Sequence, residues 1–251
     1  MIEILRQELR KVAGRRGSFW SAIGLTFALI ATIVVASIIV DATQDDPTGG
    51  KEAVDLYTGL LFVPLVAFVL VASLGGAWDF ANGTFRYLVV TGRRPWQLVA
   101  FAGAGVTLAS LTVTAPYVVA GIAQAFIFPQ DEFGPNSGPA SGSDIASFVW
   151  WCFAQVTFWS IVAFAVGALL RSSGAGIAVA LVFFFGGFPL AALISVLSET
   201  LAEAMPNIAI TIVAGGDVDD EASLPQAIVT TIGWLVAFIG AAIFRAERSE
   251  Y

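Results

Sequence analysis

Leu56–Trp78 reads LYTGLLFVPLVAFVLVASLGGAW, a run of 23 residues without a single charge. As a helix it spans about 35 Å at 1.5 Å per residue, enough to cross a hydrocarbon core of roughly 30 Å. Pro64 does not argue against a helix here, because neighbouring helices in a membrane can satisfy the carbonyl a proline leaves free. Five further runs have the same character: Trp20–Val40, Leu98–Phe128, Ile145–Leu170, Gly174–Leu197 and Gln226–Phe244. The third in chain order is long enough for a tilted or bent helix, with Pro116 as the reason to expect a kink; Pro189 lies inside the fifth.

Composition excludes a soluble fold. Of the 251 residues, 57% are hydrophobic and 12% charged, against about 25% charged in soluble domains. The expectation is therefore an all-α polytopic membrane protein of six transmembrane helices in a single domain, 1–251. A basic region precedes the first run and Val40-Asp41-Ala42 loosely fits a cleavage site, but full span length marks an uncleaved first helix rather than a signal peptide.

Charge sets the orientation. Arg6, Arg10, Lys11, Arg15 and Arg16 precede the first span; Arg86, Arg93 and Arg94 follow the second, Arg171 the fourth, Arg245 and Arg248 the sixth. The loops on the opposite side hold only Lys51, with 14 of the 19 acids. The positive-inside rule places both termini in the cytoplasm of a cell whose plasma (inner) membrane the chain spans several times. One missed or false span would scramble this alternation, so it also supports an even number of crossings.

Two segments beside the spans stand apart. In residues 1–19, Ile2, Leu5, Leu9 and Val12 recur at helical spacing among five cations, which reads as an amphipathic helix in the cytoplasmic interface; a disordered basic tail is the other reading. In residues 198–225, Met205–Val213 is apolar but too short to cross, and Pro206 interrupts it. That pattern suits a re-entrant or interfacial helix on the outer side. Asp131–Ser143, rich in Gly, Pro and Ser, reads as an exposed connection.

Little in the chain supports catalysis. There is no histidine and one cysteine, Cys152, so Ser-His triads, Cys-His dyads, His-ligated metals and internal disulfides are excluded. No G-x-x-x-x-G-K-[ST] sequence provides an ATP site. No catalytic, cofactor or metal residues are assigned, and nothing points to nucleic acid. The spans lack buried ionisable residues of the kind a proton- or ion-coupled carrier uses; Gln124 and Gln155 are the deeper amides. Gly103-Ala104-Gly105 and Gly174-Ala175-Gly176 fit close helix packing. The aromatics of the fourth and fifth spans fit lipid contact, core packing or a substrate lining.

The most informative stretch is the loop after the second span, Asp79–Leu98, DFANGTFRYLVVTGRRPWQL. Asp79 and Thr84 are placed to cap a short helix, and Pro95 to open the third span at its first turn. Such a helix gives a soluble partner something to grip. A loop that only fixes topology would explain the arginines but not the D-x-x-x-G-T start.

On these residues the sequence resembles the membrane subunit of a six-span ATP-binding-cassette (ABC) exporter, the permease class called type V. Asp79, Gly83, Thr84, Arg86, Leu88, Gly92 and Arg93 or Arg94 match the family's pattern after the second span. Gly167–Gly176 (GALLRSSGAG), the Met205-Pro206 turn and the closing Ile243–Arg248 (IFRAER) agree with it. Two departures are an Asp where Glu is commoner and the lack of a basic residue around Phe101–Gly103. The resemblance implies an elbow helix over 1–19, a coupling segment over 79–97 and outer re-entrant helices over 198–225. It also implies that Asp79, Gly83, Thr84, Arg86, Arg93 and Arg94 dock on a separate ABC ATPase subunit, present in two copies. That partner would bind ATP and Mg, and two permease chains, as a homodimer in membrane lipid, would form the exporter. A secondary transporter or channel working without ATP is the alternative.

Overall fold

A backbone shielded from water must satisfy its own hydrogen bonds, and a helix does so within one segment. In a computed structural model of the chain, which describes residues 6, 10–12, 14, 16–43, 49–90, 92, 94–127, 139–216 and 223–248, every regular element among those residues is a helix. We number them α1 (Arg16–Thr43), α2 (Gly50–Leu60), α3 (Phe62–Ala81), α4 (Thr84–Val90), α5 (Pro95–Ile127), α6 (Gly142–Leu170), α7 (Ser173–Ser195), α8 (Glu199–Glu203), α9 (Pro206–Val213) and α10 (Leu224–Glu247). Six helical stretches are long and apolar enough to cross a membrane: Phe19–Ile39, Gly50–Ala81, Pro95–Ile127, Gly142–Leu170, Gly174–Ser195 and Leu224–Glu247. They coincide with the six expected runs.

The second span differs from its expected form. It starts at Gly50 rather than Leu56 and divides at Leu61, which keeps a right-handed conformation (φ −56°, ψ −27°). Pro64 is the physical reason. It has no N–H to offer the carbonyl of Leu60, and it falls in the first turn of α3, where that amide is not needed. Pro116 and Pro189, by contrast, lie within α5 and α7 without ending them. The connection before the fourth span also ends earlier than expected. Ser141 caps α6 in a reciprocal box: Asp144 N–H donates to Ser141 Oγ (3.2 Å) and Ser141 N–H to Asp144 Oδ2 (2.8 Å). Residues 128–138 of that connection lie outside the described residues, as does most of the proposed elbow. Its described residues 6, 10–12, 14 and 16–19 are helical, and Val12 is buried.

The bundle is built around α3 and α6, whose faces are mostly buried, whereas the spans of α1, α7 and α10 are largely exposed. Exposed Trp20, Phe27, Val182, Leu193, Val229 and Val236 on those helices form apolar surface that a bilayer covers. Between α3 and α6 the backbones nearly touch. A Cβ added to Gly76 would collide with the carbonyl of Phe164 and lie 2.8 Å from Ala168 N; one added to Gly167 would collide with the carbonyl of Ser73. α7 joins at the same place, since a Cβ on Gly176 would lie 2.9 Å from Gly167 Cα and 2.7 Å from Ser73 Oγ. Gly103 of α5 rests on the Phe164 ring, 3.1 Å from its would-be Cβ. Both Gly103 and Gly176 thus do the close packing expected of them, but Gly174 has nothing within 4 Å.

Across the acidic end, α2, α5 and α6 share an aromatic cluster of Tyr57, Tyr117 and Phe148, all buried. Tyr117 Oη donates to the Tyr57 carbonyl (2.7 Å), tying α5 to the segment just before the break at Leu61. Such a bond restores satisfaction where the helix ladder is weakest.

The packing yields a direct test. Gly76→Ala and Gly167→Ala are each expected to lower unfolding free energy by about 1–3 kcal/mol through overpacking. Gly24→Ala, at a site with nothing within 4 Å, is expected to leave it unchanged or slightly raised. Equilibrium unfolding in mixed detergent–SDS micelles reads all three; equal stability of the three variants would contradict the packing described.

Candidate functional site

The basic residues gather at one end of the bundle, where α3, α6 and α10 finish and α5 and α7 begin. The chain leaves α3 through Asn82 (φ −97°, ψ 4°), whose backbone N–H and Nδ2 both donate to the Trp78 carbonyl at 3.0 and 2.9 Å. Gly83 then takes φ +69°, a left-handed value that strains any residue with a Cβ. This reversal sets off α4 as a separate helix. A second left-handed glycine, Gly92 (φ +90°), closes it, with its N–H donating to the Val89 carbonyl (2.9 Å). Pro95 opens α5 as expected, and the Arg94 carbonyl accepts from Gln97 and Leu98 N–H at 3.0 and 3.3 Å.

α4 has two distinct faces. Phe85 is buried and stacks on Phe80 of α3, centroids 4.2 Å apart. Leu88 and Val89 pack against the core beside it. Arg86, Tyr87 and Val90 are exposed, Tyr87 by 70%, and Arg94 and Trp96 are exposed beyond them. The outer surface thus mixes cations with uncovered apolar and aromatic side chains.

The capping expectation is corrected here. Asp79 lies inside the last turn of α3, and Thr84 is the first residue of α4, after Gly83. Neither precedes α4 in the position a cap needs, because the left-handed glycine occupies it. Asp79 instead pairs with Lys11, Nζ to Oδ2 3.4 Å, with the carboxylate largely buried. An acid at a helix C-terminus opposes the helix dipole, and the Lys11 cation offsets that. Asp79, Gly83, Thr84, Arg86 and Arg94 therefore share one continuous stretch at this end; Arg93 lies outside the described residues.

Arg171 is the residue to which sequence reasoning gave no site role, having served there as a topology marker and as part of the Gly167–Gly176 stretch. It ends α6 with φ +55°, ψ +19°, and is the one left-handed residue other than glycine among the described residues. Its guanidinium lies 4.9 Å from the centroid of the Phe80 ring and Nη2 donates to the Arg245 carbonyl (3.0 Å). The strain, about 1–2 kcal/mol, is offset by contacts to α3 and α10 at once. A Gly167–Gly176 turn carrying arginine where glycine is usual was the available signal. Through Phe80, α4 is thereby connected to the α6–α7 turn and the end of α10.

At the opposite, acidic end the 198–225 segment contains two short helices, α8 and α9; Pro206 starts α9 rather than interrupting the apolar run Met205–Val213. Two neighbouring tryptophans hold their backbone, and a side chain of α9 holds that of α7. Trp150 Nε1 donates to the Val213 carbonyl (2.9 Å), Trp234 Nε1 to that of Ala204 (2.8 Å), and Asn207 Nδ2 reaches the Phe184 carbonyl (2.9 Å). Residues 217–222 lie outside the described residues. Among the described residues no group of three or more His, Cys, Asp or Glu is placed to hold a metal ion.

Fold and surface define the class: a multi-pass α-helical membrane protein with a short amphipathic helix at its basic face. No protein-family model matches the chain, and no curated protein matches its sequence.

Gly83→Ala and Gly92→Ala are each expected to destabilise by about 1–2 kcal/mol, since their φ values exclude a Cβ without strain. Gly59→Ala, with nothing within 4 Å, serves as the control. Limited proteolysis across 82–94 in detergent is expected to speed up in the first two variants only.

Proposed function

We propose that the chain is the permease subunit of an ATP-driven ABC transporter of the exporter type, coupled at α4 to a separate ATPase subunit. The observation that carries this reading is the two-faced α4, delimited by Gly83 and Gly92. Its Phe85 side is locked to α3 while Arg86, Tyr87, Val90 and Arg94 face outward. Cations around exposed apolar groups suit a protein partner, because charge guides encounter and the apolar centre supplies affinity. The links from Phe80 through Arg171 to the end of α10 offer a route by which a push on α4 reaches several spans. ATP and Mg belong to the partner in this reading, since the chain carries no Walker-type sequence. ATP binding there would favour one arrangement of the spans through differential docking at α4.

The basic face is cytoplasmic in this reading, with both termini inside the plasma membrane, as the segregation of eleven of the twelve Lys and Arg residues supports. The α8–α9 segment then sits on the outer side as a re-entrant pair, and a second copy of the chain completes the pathway. Exposed faces of α1, α7 and α10 leave room for both lipid and that copy.

Two experiments test the proposal. In a Cys152→Ala background, a cysteine at Tyr87 is expected to react with a membrane-impermeant maleimide only from the cytoplasmic side, and one at Ser143 only from outside. Reversed labelling would overturn the orientation. Affinity-purified membrane complexes are expected to contain an ABC ATPase, and Arg86→Glu with Arg94→Glu to reduce its recovery at least tenfold. Flux through liposomes holding this chain alone, driven by a proton or sodium gradient, would replace the reading with a carrier or channel that works without ATP.

A further inference from the structure

Only Arg171 and Ser172 separate α6 from α7. Arg171 N–H donates to the Gly167 carbonyl (3.0 Å), and the Ser172 carbonyl already accepts from Gly176 N–H (2.8 Å) as α7 begins. A reversal this tight needs a left-handed residue, and Arg171 supplies it with φ +55°. Glycine would take that conformation without strain. Arginine there costs stability at the turn itself, and what offsets the cost lies in its side chain.

That side chain acts away from its own turn. The guanidinium lies 4.9 Å from the centroid of the Phe80 ring, and Phe85 of α4 stacks on Phe80 with centroids 4.2 Å apart and planes at 25°. Nη2 of the same guanidinium donates to the Arg245 carbonyl (3.0 Å). This carbonyl belongs to the last turn of α10, where a helix has no partners of its own for its carbonyls. Ala242 and Ala246 bury the same stretch of α10 against the bundle. A planar guanidinium can turn its face to a ring and an N–H edge to a carbonyl in one pose, which an ammonium group cannot.

We propose that Arg171 is a positioning residue that makes the placements of α4 and of the last turn of α10 depend on each other. A shift of α4 carries Phe80 with it, the guanidinium loses its seat, and the Arg245 carbonyl loses its donor. The dependence is reciprocal, because a coupling free energy between two sites acts equally in both directions. The use of this link in transport rests on the coupling role proposed for α4. The link itself does not, since all its contacts lie within one chain.

Hydrogen–deuterium exchange of the full chain in lipid nanodiscs, with no partner present, tests the proposal. Arg171→Gly removes both side-chain contacts and relieves the backbone strain. Exchange at the end of α6 is therefore expected to slow or stay unchanged. At Leu88–Val90 and in the last turn of α10 it is expected to speed up about fivefold, the factor a single cation–π contact carries. A residue that only shaped the turn would give the first effect without the second. Arg171→Lys, which keeps the charge, is expected to match Arg171→Gly at both distant sites. Phe80→Leu is expected to speed exchange at both, and Phe80→Tyr, which keeps the ring, to restore the wild-type rates. Wild-type exchange at either distant site in Arg171→Gly overturns the proposal. So does wild-type behaviour of Arg171→Lys, or an equal effect of Phe80→Leu and Phe80→Tyr. The Phe80 pair decides the matter if Arg171→Gly fails to fold. Because no ATPase takes part, none of these outcomes bears on the coupling reading, and purified complexes without an ATPase would leave the link standing.

Discussion

The rest of the bundle hangs on the near-contact of two backbones, at Ser73 and Gly76 of α3 against Phe164 and Gly167 of α6. In lipid, helices gain nothing from hiding apolar surface from water, because the solvent is as apolar as they are. Association instead depends on many short van der Waals contacts, which only small residues permit. With this crossing made, Gly176 brings α7 onto the same spot, and Gly103 seats α5 on the ring of Phe164. The peripheral helices α1 and α10 then attach with much less buried surface.

A second constraint orders the acidic half. Where a helix ends or breaks, a side chain from another helix bonds a main-chain carbonyl: Tyr117 that of Tyr57 beside the break at Leu61, and Trp150 and Trp234 those of Val213 and Ala204 at the ends of α9 and α8, while Asn207 of α9 donates to the Phe184 carbonyl of α7. Unsatisfied amides are costly where water is scarce, so these bonds position short segments that apolar packing alone would leave free to slide.

The basic half works differently. Left-handed residues at Gly83, Gly92 and Arg171 turn the chain sharply where it leaves the bundle, and the Phe80 ring lies between Phe85 and the Arg171 guanidinium. This places an exposed amphipathic turn on a firm base. Flexible linkers would dissipate a force applied there; a helix stacked on the end of a central span transmits it. The proposed coupling role rests on that mechanical arrangement.

Length and polarity of the apolar runs determined six helical spans, since a segment in a bilayer core must be largely apolar and satisfy its own backbone hydrogen bonds. Pro95 as a helix start was equally local and equally legible, whereas Pro206, read as an interruption, starts α9. The Asp79–Trp96 stretch was recognisable as structured from its glycines, but not the use of its acid: Asp79 looked like a cap and instead meets Lys11, 68 residues away in the chain. Only the tertiary structure decided that pairing, the division of the second span and the role of Arg171. Spans are set by the solvent each residue sees, which its own type records. Which glycine meets which carbonyl, and which polar atom is left over, depends on atoms far apart in sequence that come together only when the helices pack.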